Sequence, residues 1–274
     1  MTQLDDLTAA LEAAVGRHGH ATVAEHVRDV LAGLVTDATS VLEVERPVLG
    51  VDGCPGGWVG VLLHPDRPPS VHHASRIGPL VEQVRESTAV AVVAIDIPLG
   101  LPDGGVRQAD VLARRELPGK GSSVFTTLTR AAYGAPSYAE AREANLRATG
   151  GTHSASAQAW ALREKILDAD TWVRSGPPMS VIEVHPELAF ARMAGAPLLP
   201  GKRTTEGVQA RRAALHSVGL TPPGWFRGSP FAEDDLLDAC AAAWSGWRHS
   251  VGRAECFPEP PEVFGDGIPA AIRV

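Results

Sequence analysis

Apolar residues recur along this chain in two different rhythms. In residues 2–16, Leu4, Leu7, Leu11 and Val15 fall at helical spacing. After the break at Gly19, Val23, Val27, Val30, Leu31 and Leu34 repeat that spacing to about residue 36. Two amphipathic helices are therefore expected, forming an N-terminal helical extension over residues 1–46. The rhythm changes at Pro47. "VLGVDGC" and "GWVGVLLH" are short β-branched runs around Cys54-Pro55-Gly56-Gly57, which predicts a hairpin. "SVHHASRI" (70–77) reads as a third strand and "LVEQVRES" as a helix. "AVAVVAIDIP" (89–98) is a continuous apolar run ending in an acid and a proline, as in a central strand covered on both faces. Helices are expected at 107–117 and 137–173, then a buried strand "MSVIEVHPE" (179–187), then helices near 187–194, 204–218 and 234–248. The Pro-rich tail "FPEPPEVFGDG" reads as irregular. Three early strands followed by alternating β and α predict an α/β domain over 47–274, with a mixed sheet and helices on both faces.

The last helix poses a question. "EDDLLDACAAAW" (233–244) opens on acids, turns almost wholly apolar, and still places Asp238 one turn inside. Acids at a helix start cap free N–H groups and suit the dipole, which accounts for Asp234 or Asp235. It leaves Asp238 unexplained. Asp235 and Asp238 share one helical face, while Leu236, Cys240, Ala243 and Trp247 provide another for burial. Other acids fall at strand ends. Asp52 ends or interrupts the first core strand, Asp96 ends the fourth, and Glu183 lies in the fifth, followed by His185 and Glu187. Ligands of open α/β sheets bind outside the carboxyl ends of the strands. Two carboxylates ~4 Å apart repel by roughly 4 kcal/mol at an effective dielectric of 20. Converging acids therefore need a cation, and oxygen-only ligands select Mg²⁺ or Mn²⁺. Such a cluster suits phosphoryl transfer, with Asp238 facing a metal site.

Bulk properties narrow the setting. The chain has 274 residues, 44% hydrophobic and 21% charged, so a packed core is expected. Its three cysteines, Cys54, Cys240 and Cys256, form no CxxC pair, which argues against zinc and for a reducing, cytoplasmic location. The opening MTQLDDL lacks a basic n-region, and no apolar run is long enough to span a membrane, so neither a signal peptide nor membrane association is expected. The net charge of −7 argues against coating a long duplex. Residues 1–46 hold eight acids and three arginines, leaving the other 228 residues at only −2. Within these, Arg107, Arg114, Arg115, Lys120 and Arg130 outweigh Asp110 and Glu116, and Lys202, Arg203, Arg211 and Arg212 outweigh Glu206. They are either solvated helix faces or phosphate contacts. In the second case Arg114, Lys120, Lys202 and Arg211 bind substrate, and a short strand, flap or nucleotide fits better than a duplex.

"VDGCPGGWVGVLL", "AIDIPLGLP", "IEVHPELAF" and "DDLLDACAAAW", in that order, resemble the bacterial domain-of-unknown-function family 429, whose members are described as predicted nucleases with a ribonuclease-H-like fold. "RQADVLAR", "SSVF" and the segment around Gln158 and Trp160 fit the family's middle region, and the resemblance spans about residues 47–273. It implies a five-stranded sheet of order 3-2-1-4-5 with a central carboxylate cluster. The first-strand acid then corresponds to Asp52, the fourth-strand acid to Asp96, and the final-helix acids, three apart as in Holliday-junction resolvases, to Asp235 and Asp238. Glu183 belongs to this family's own pattern. Ribonuclease H proper adds a Glu on the helix after the third strand. Glu82 and Glu86 are available there but lie in no recognisable motif, so a resolvase-like arrangement is preferred.

The expected function is thus a Mg²⁺- or Mn²⁺-dependent nuclease or phosphodiesterase. Asp52, Asp96, Asp235 and Asp238 hold the ion, and Glu183 or His185 assists. His185 stays open as a general base, a metal ligand, a leaving-group acid or a hydrogen-bonded structural residue. Ser122 and Ser123 lie in no GxSxG elbow, so serine nucleophilic catalysis is not expected. Two alternatives belong to other classes. Gly53–Gly57 resembles the first phosphate loop of actin-like ATPases and sugar kinases, which suggests an ATP-dependent phosphotransferase. A non-catalytic nucleic-acid or protein adaptor is the other. The N-terminal helices, outside the family pattern, either pack as an extension or bind a protein partner or second subunit.

Overall fold

The structure is a computed structural model that describes residues 41–274. The expected helices before residue 36 lie outside the described residues. Leu42–Val274 form one compact unit. The elements begin with the strands β1 (Val48–Cys54), β2 (Gly57–His64) and β3 (Arg67–Ala74), helix α1 (Ile77–Arg85) and strand β4 (Val92–Ile95). Helices α2 (Gln108–Arg115), α3 (Arg130–Tyr133), α4 (Tyr138–Ala148), α5 (Ala157–Ala161) and α6 (Arg163–Arg174) follow. The chain continues through β5 (Ser180–Val184), α7 (Pro186–Ala194), α8 (Thr205–Ser217), α9 (Glu233–Ser250), β6 (Cys256–Val263) and β7 (Pro269–Arg273).

These strands form a single mixed sheet with helices on both faces. Its order is β3-β2-β1-β4-β5-β7-β6, seven strands rather than the five expected. β1, β4, β5 and β7 run parallel to one another, while β2 and β6 are antiparallel to their neighbours. The additional pair comes from the tail read as irregular. Proline donates nothing to a ladder, so Pro258, Pro260 and Pro261 argue against a central strand. They are tolerated because β6 is an edge strand whose register shifts between Phe257 and Glu262. The single helix expected over 137–173 is instead three. Gly150 and Gly151, with φ of 61° and 86°, turn the chain after α4, and the Ser156 hydroxyl caps α5.

Alternation along the strands sorts side chains to the two faces. Leu49 and Val51 of β1 and Val93 and Ile95 of β4 join α1 and α4–α6 in one apolar layer. Val48, Val92, Ala94, Ile182 and Val184 pack with Ala242 of α9. The greasy helix is therefore a core element laid directly on β1, β4 and β5. Small residues permit the close approach. A Cβ on Gly50 would overlap the backbone of Ala239 and Ala243, and one on Gly246 would lie 2.6 Å from Val48 Cγ1. This contact fixes the first turns of α9 against the carboxyl ends of β1 and β4.

Candidate functional site

A cleft of about 540 Å³ opens at those strand ends, where a ligand site is expected in open α/β sheets. Asp52, Asp96, His185, Lys202 and Asp235 line it, with Lys165, Gln158 and Phe125 on the facing wall. Asp52 lies on β1 in register with Val59, and its Oδ1 accepts the Gly53 N–H at 2.7 Å. Asp96 follows β4, its backbone N–H donating to Val51 O at 2.9 Å. Asp235 stands at the third position of α9 and accepts the Ala232 N–H at 3.0 Å, closing the helix start. Asp238, one turn on, is 3% exposed. Its Oδ2 accepts from Lys202 Nζ at 2.7 Å, while its Oδ1 is buried without a partner.

The electrostatics are those of crowded acids. Burial first, then Asp96 and Asp238, push the Asp52 carboxyl well above the usual range, with Lys202 pulling against them. Burial raises Asp96 to about 7, against the pull of Lys202 and with the push of Glu187. Burial likewise raises Asp238 to about 6, against Lys202 and with Asp96. Asp235 is raised too, mainly by burial, while the Ala232 N–H lowers it. Burial opposes the charge of Lys202, but Asp238, Asp52 and Asp96 outweigh it and raise the ammonium's pKa. Asp96, Asp238 and Asp235 thus each act on the Asp52 charge, and Asp96 acts on Asp238.

Glu183 does not join them. Ile182 and Val184 pack toward α9, so alternation turns Glu183 the other way. There it takes a buried guanidinium: Arg107 donates to both its oxygens at 2.7 and 2.8 Å, and the Leu99 N–H donates at 2.8 Å. Burial raises the Glu183 pKa, and Arg107 opposes that. His185 closes the strand, and Pro186 begins α7, so strand alternation ends before Glu187. Burial lowers the His185 pKa and keeps the imidazole neutral. Its Nε2 lies 3.4 Å from Ser123 O, and its Nδ1 is buried without a partner.

The expected substrate-binding cations require correction. Arg211 is wholly buried and pairs with Glu187, with its guanidinium over the Phe190 ring. Arg114 is engaged with Val124 O at 2.8 Å and Thr126 Oγ1 at 3.2 Å, pinning the loop at the cleft rim. Lys120 points to Pro200 O at 3.4 Å. Lys202 lies inside the acid cluster. Neither basic segment is simply a solvated face, because Arg130 pairs with Asp170 and Asp266, and Arg212 with Glu233. Besides Lys202, the cations lining the cleft among the described residues are Arg203, 81% exposed and 3.2 Å from Asp234, and Lys165. Lys165 donates to Gly57 O and sits 4.9 Å over the Trp58 ring. No sequence motif singled it out; its signal is one turn of α6, where Asp168 takes the Trp58 indole N–H at 2.9 Å.

The family described as "Protein of unknown function (DUF429)" matches residues 50–263, most of the chain. The chain belongs to the DUF429 family. Neither the curated proteins nor the solved structures provide a match. Every residue of the cleft named above lies within the DUF429 segment.

Whether a hard cation suits this DUF429 site turns on the donors present. They are carboxylate oxygens throughout, as Mg²⁺ and Mn²⁺ require. The buried, unpartnered Oδ1 of Asp238 and the raised carboxyls mark unmet demand for positive charge. No three His, Cys, Asp or Glu side chains stand in ready metal-holding geometry among the described residues. Lys202 supplies positive charge there instead. The residue types fit the ion, and Asp52, Asp96, Asp235 and Asp238 would hold it.

Proposed function

We propose that this DUF429 chain is a divalent-cation-dependent phosphodiester hydrolase, a nuclease or nucleotide phosphodiesterase on a ribonuclease-H-like fold. The single observation that carries the reading is the excess of acid over cation at the carboxyl ends of β1 and β4. Acids that only stabilise a fold are paired, because an uncompensated buried charge is expensive. These are held crowded, facing a cleft. The succession β3-β2-β1-β4-β5 within the sheet, with acids at the ends of β1 and β4 and on the covering α9, supports the fold assignment. Three free cysteines support the expected reducing, cytoplasmic setting.

When bound, a divalent ion supplies polarisation of a phosphoryl oxygen and makes water nucleophilic near neutral pH. The chain's own residues do the rest. Asp52 and Asp96 orient the reacting face. His185, neutral and lining the cleft, accepts a proton from the attacking water or returns it to the leaving oxygen. Lys165 and Arg203 take the phosphate charge. Phe125 and Gln158 offer a flat apolar surface and an amide to a base. A cleft of about 540 Å³ admits a nucleotide or an unpaired strand rather than a long duplex.

The test is direct. Purified chain is incubated with labelled single- and double-stranded DNA and RNA and with nucleotides, with Mn²⁺ and with chelator. Mn²⁺-dependent cleavage that Asp52→Asn abolishes is expected. Intact substrates throughout, with Mn²⁺ in excess, contradict the reading.

A further inference from the structure

Resting on the metal-dependent reading above, we infer that the site takes a single divalent ion, because the Lys202 ammonium permanently holds the second cation position. Two-ion phosphodiester hydrolysis places two positive centres on one carboxylate cluster. Here one is already present. Lys202 Nζ lies 2.7 Å from Asp238 Oδ2 and 3.6 Å from Asp234 Oδ2, bridging two carboxylates one turn apart on the same face of α9.

The backbone beneath Lys202 is built to keep it there. Thr204 donates its hydroxyl to Gly201 O at 3.0 Å and accepts the Gly207 N–H at 3.1 Å, so the turn is tied to the start of α8. A Cβ on Gly207 would overlap Gly201 O, so the turn lies directly on the helix backbone. Arg211 and Lys120 both donate to Pro200 O at 3.4 Å, holding the turn from the other side. Arg203 next to it engages Asp234 at 3.2 Å. A lysine placed for a distant phosphate would not need this mounting.

On the other side of the cluster the acids are open. Among the described residues, Asp52 accepts only the Gly53 N–H, and the Asp96 carboxylate takes no hydrogen bond and no ion pair. Asp238 connects the two sides: one oxygen holds Lys202, and the other is buried and unpartnered. A divalent ion would therefore be held by Asp52, Asp96, Asp235 and the free oxygen of Asp238. The ammonium would stay across Asp238 and Asp234. Lys202 becomes a positioning residue with a charge role: it neutralises the α9 side and excludes a second divalent ion.

Mn²⁺ bound to the full-length chain, counted by the loss of the free-ion electron paramagnetic resonance signal, tests this without any activity assay. The wild type should saturate at one ion per chain, and Asp52→Asn at none. Lys202→Met should admit a second ion, while Lys202→Arg, which keeps the cation, should stay at one. If Lys202→Met does not fold, the wild-type and Lys202→Arg counts still decide. Two ions on the wild type overturn the inference and leave the hydrolase reading standing. One ion on Lys202→Met, with unchanged affinity, overturns it too. No ion on the wild type removes both.

Discussion

Two acidic centres lie one strand apart in this sheet, and they are built on opposite principles. At the first, Glu183 on β5 meets Arg107, whose guanidinium is 0% exposed, in a bidentate pair completed by the Leu99 N–H and by Asp110 at 3.4 Å from Arg107 Nε. Asp110 in turn accepts from the Thr127 N–H at 2.7 Å. The guanidinium compensates Glu183 directly, and both oxygens of Glu183 are satisfied. At the second, Asp52, Asp96, Asp235 and Asp238 share one lysine, an oxygen of Asp238 has no partner, and all four carboxyls are pushed upward, first by burial and then by neighbouring acids. The first centre ties the β4–α2 connection to β5. The second holds unfavourable charge beside a cleft. Similar acids on neighbouring strands thus differ in what compensates them.

Breaking the hydrogen-bonded Glu183–Arg107 centre should have the largest effect on stability. Arg107→Ala leaves Glu183 buried and unpaired, which costs about 3–5 kcal/mol. Chemical denaturation should show a loss of that size, or a chain that does not fold. A similar stability in the variant would contradict the structural assignment of Glu183.

Gly50→Ala should come next. The new Cβ overlaps the α9 backbone at Ala239 and Ala243, so the helix must shift. Overpacking of this kind costs about 1–3 kcal/mol. Because α9 carries Asp235 and Asp238, any Mn²⁺-induced rise in melting temperature should shrink as well. A stable variant with an intact Mn²⁺ response would show that α9 need not lie so close to place its acids.

The crowded centre should reveal itself through pH. Asp96 and Asp238 titrate in the folded chain at about 7 and about 6, above the ordinary 3.8. The folded state therefore binds protons that the unfolded chain has released, and these groups make stability fall as pH rises from about 4 to about 7. Asp96→Asn should flatten that fall in metal-free protein, as read by melting temperature against pH. Deprotonation also frees the ligands, so the Mn²⁺ response should grow across the same interval. A slope unchanged by Asp96→Asn would place the shift elsewhere.

Asp238→Asn should change metal-free stability least, by about 1 kcal/mol or less in either direction. It loses the ion pair with Lys202, which is a modest term for a half-exposed lysine, and relieves repulsion with Asp96 and Asp52. Its Mn²⁺ response should nonetheless fall. A clear loss of stability with an intact response would make Asp238 structural.

Much of this site could be read from the sequence, for identifiable reasons. Asp52 and Asp96 interrupt or end apolar runs, and Asp235 and Asp238 stand one turn apart at the head of an apolar helix, so strand ends and helical spacing sufficed. Glu183 looked equivalent because it also sits in a buried strand. The difference lay in its neighbours: Ile182 and Val184 take the α9 face, and Glu183 takes the other. From sequence Lys202 reads as either a solvated cation or a phosphate contact, because nothing local joins it to a helix more than thirty residues later; its partners depend on how the turn seats on α8. Arg211 looked like a surface cation for the same reason, yet Glu187 draws it wholly inside. In the fold, β6 and β7 were hidden by proline, whose missing N–H is harmless at a sheet edge.

The central claim is that the Asp52 cluster, unlike the Glu183 centre, is destabilised in order to bind a cation. Melting temperatures of wild type and Asp52→Asn, with and without Mn²⁺ near pH 7.5, test it most directly. Asp52→Asn should melt at or above the wild type without metal, and Mn²⁺ should raise the wild type but not the variant. A variant that melts well below the metal-free wild type, or a wild type indifferent to Mn²⁺, would contradict it.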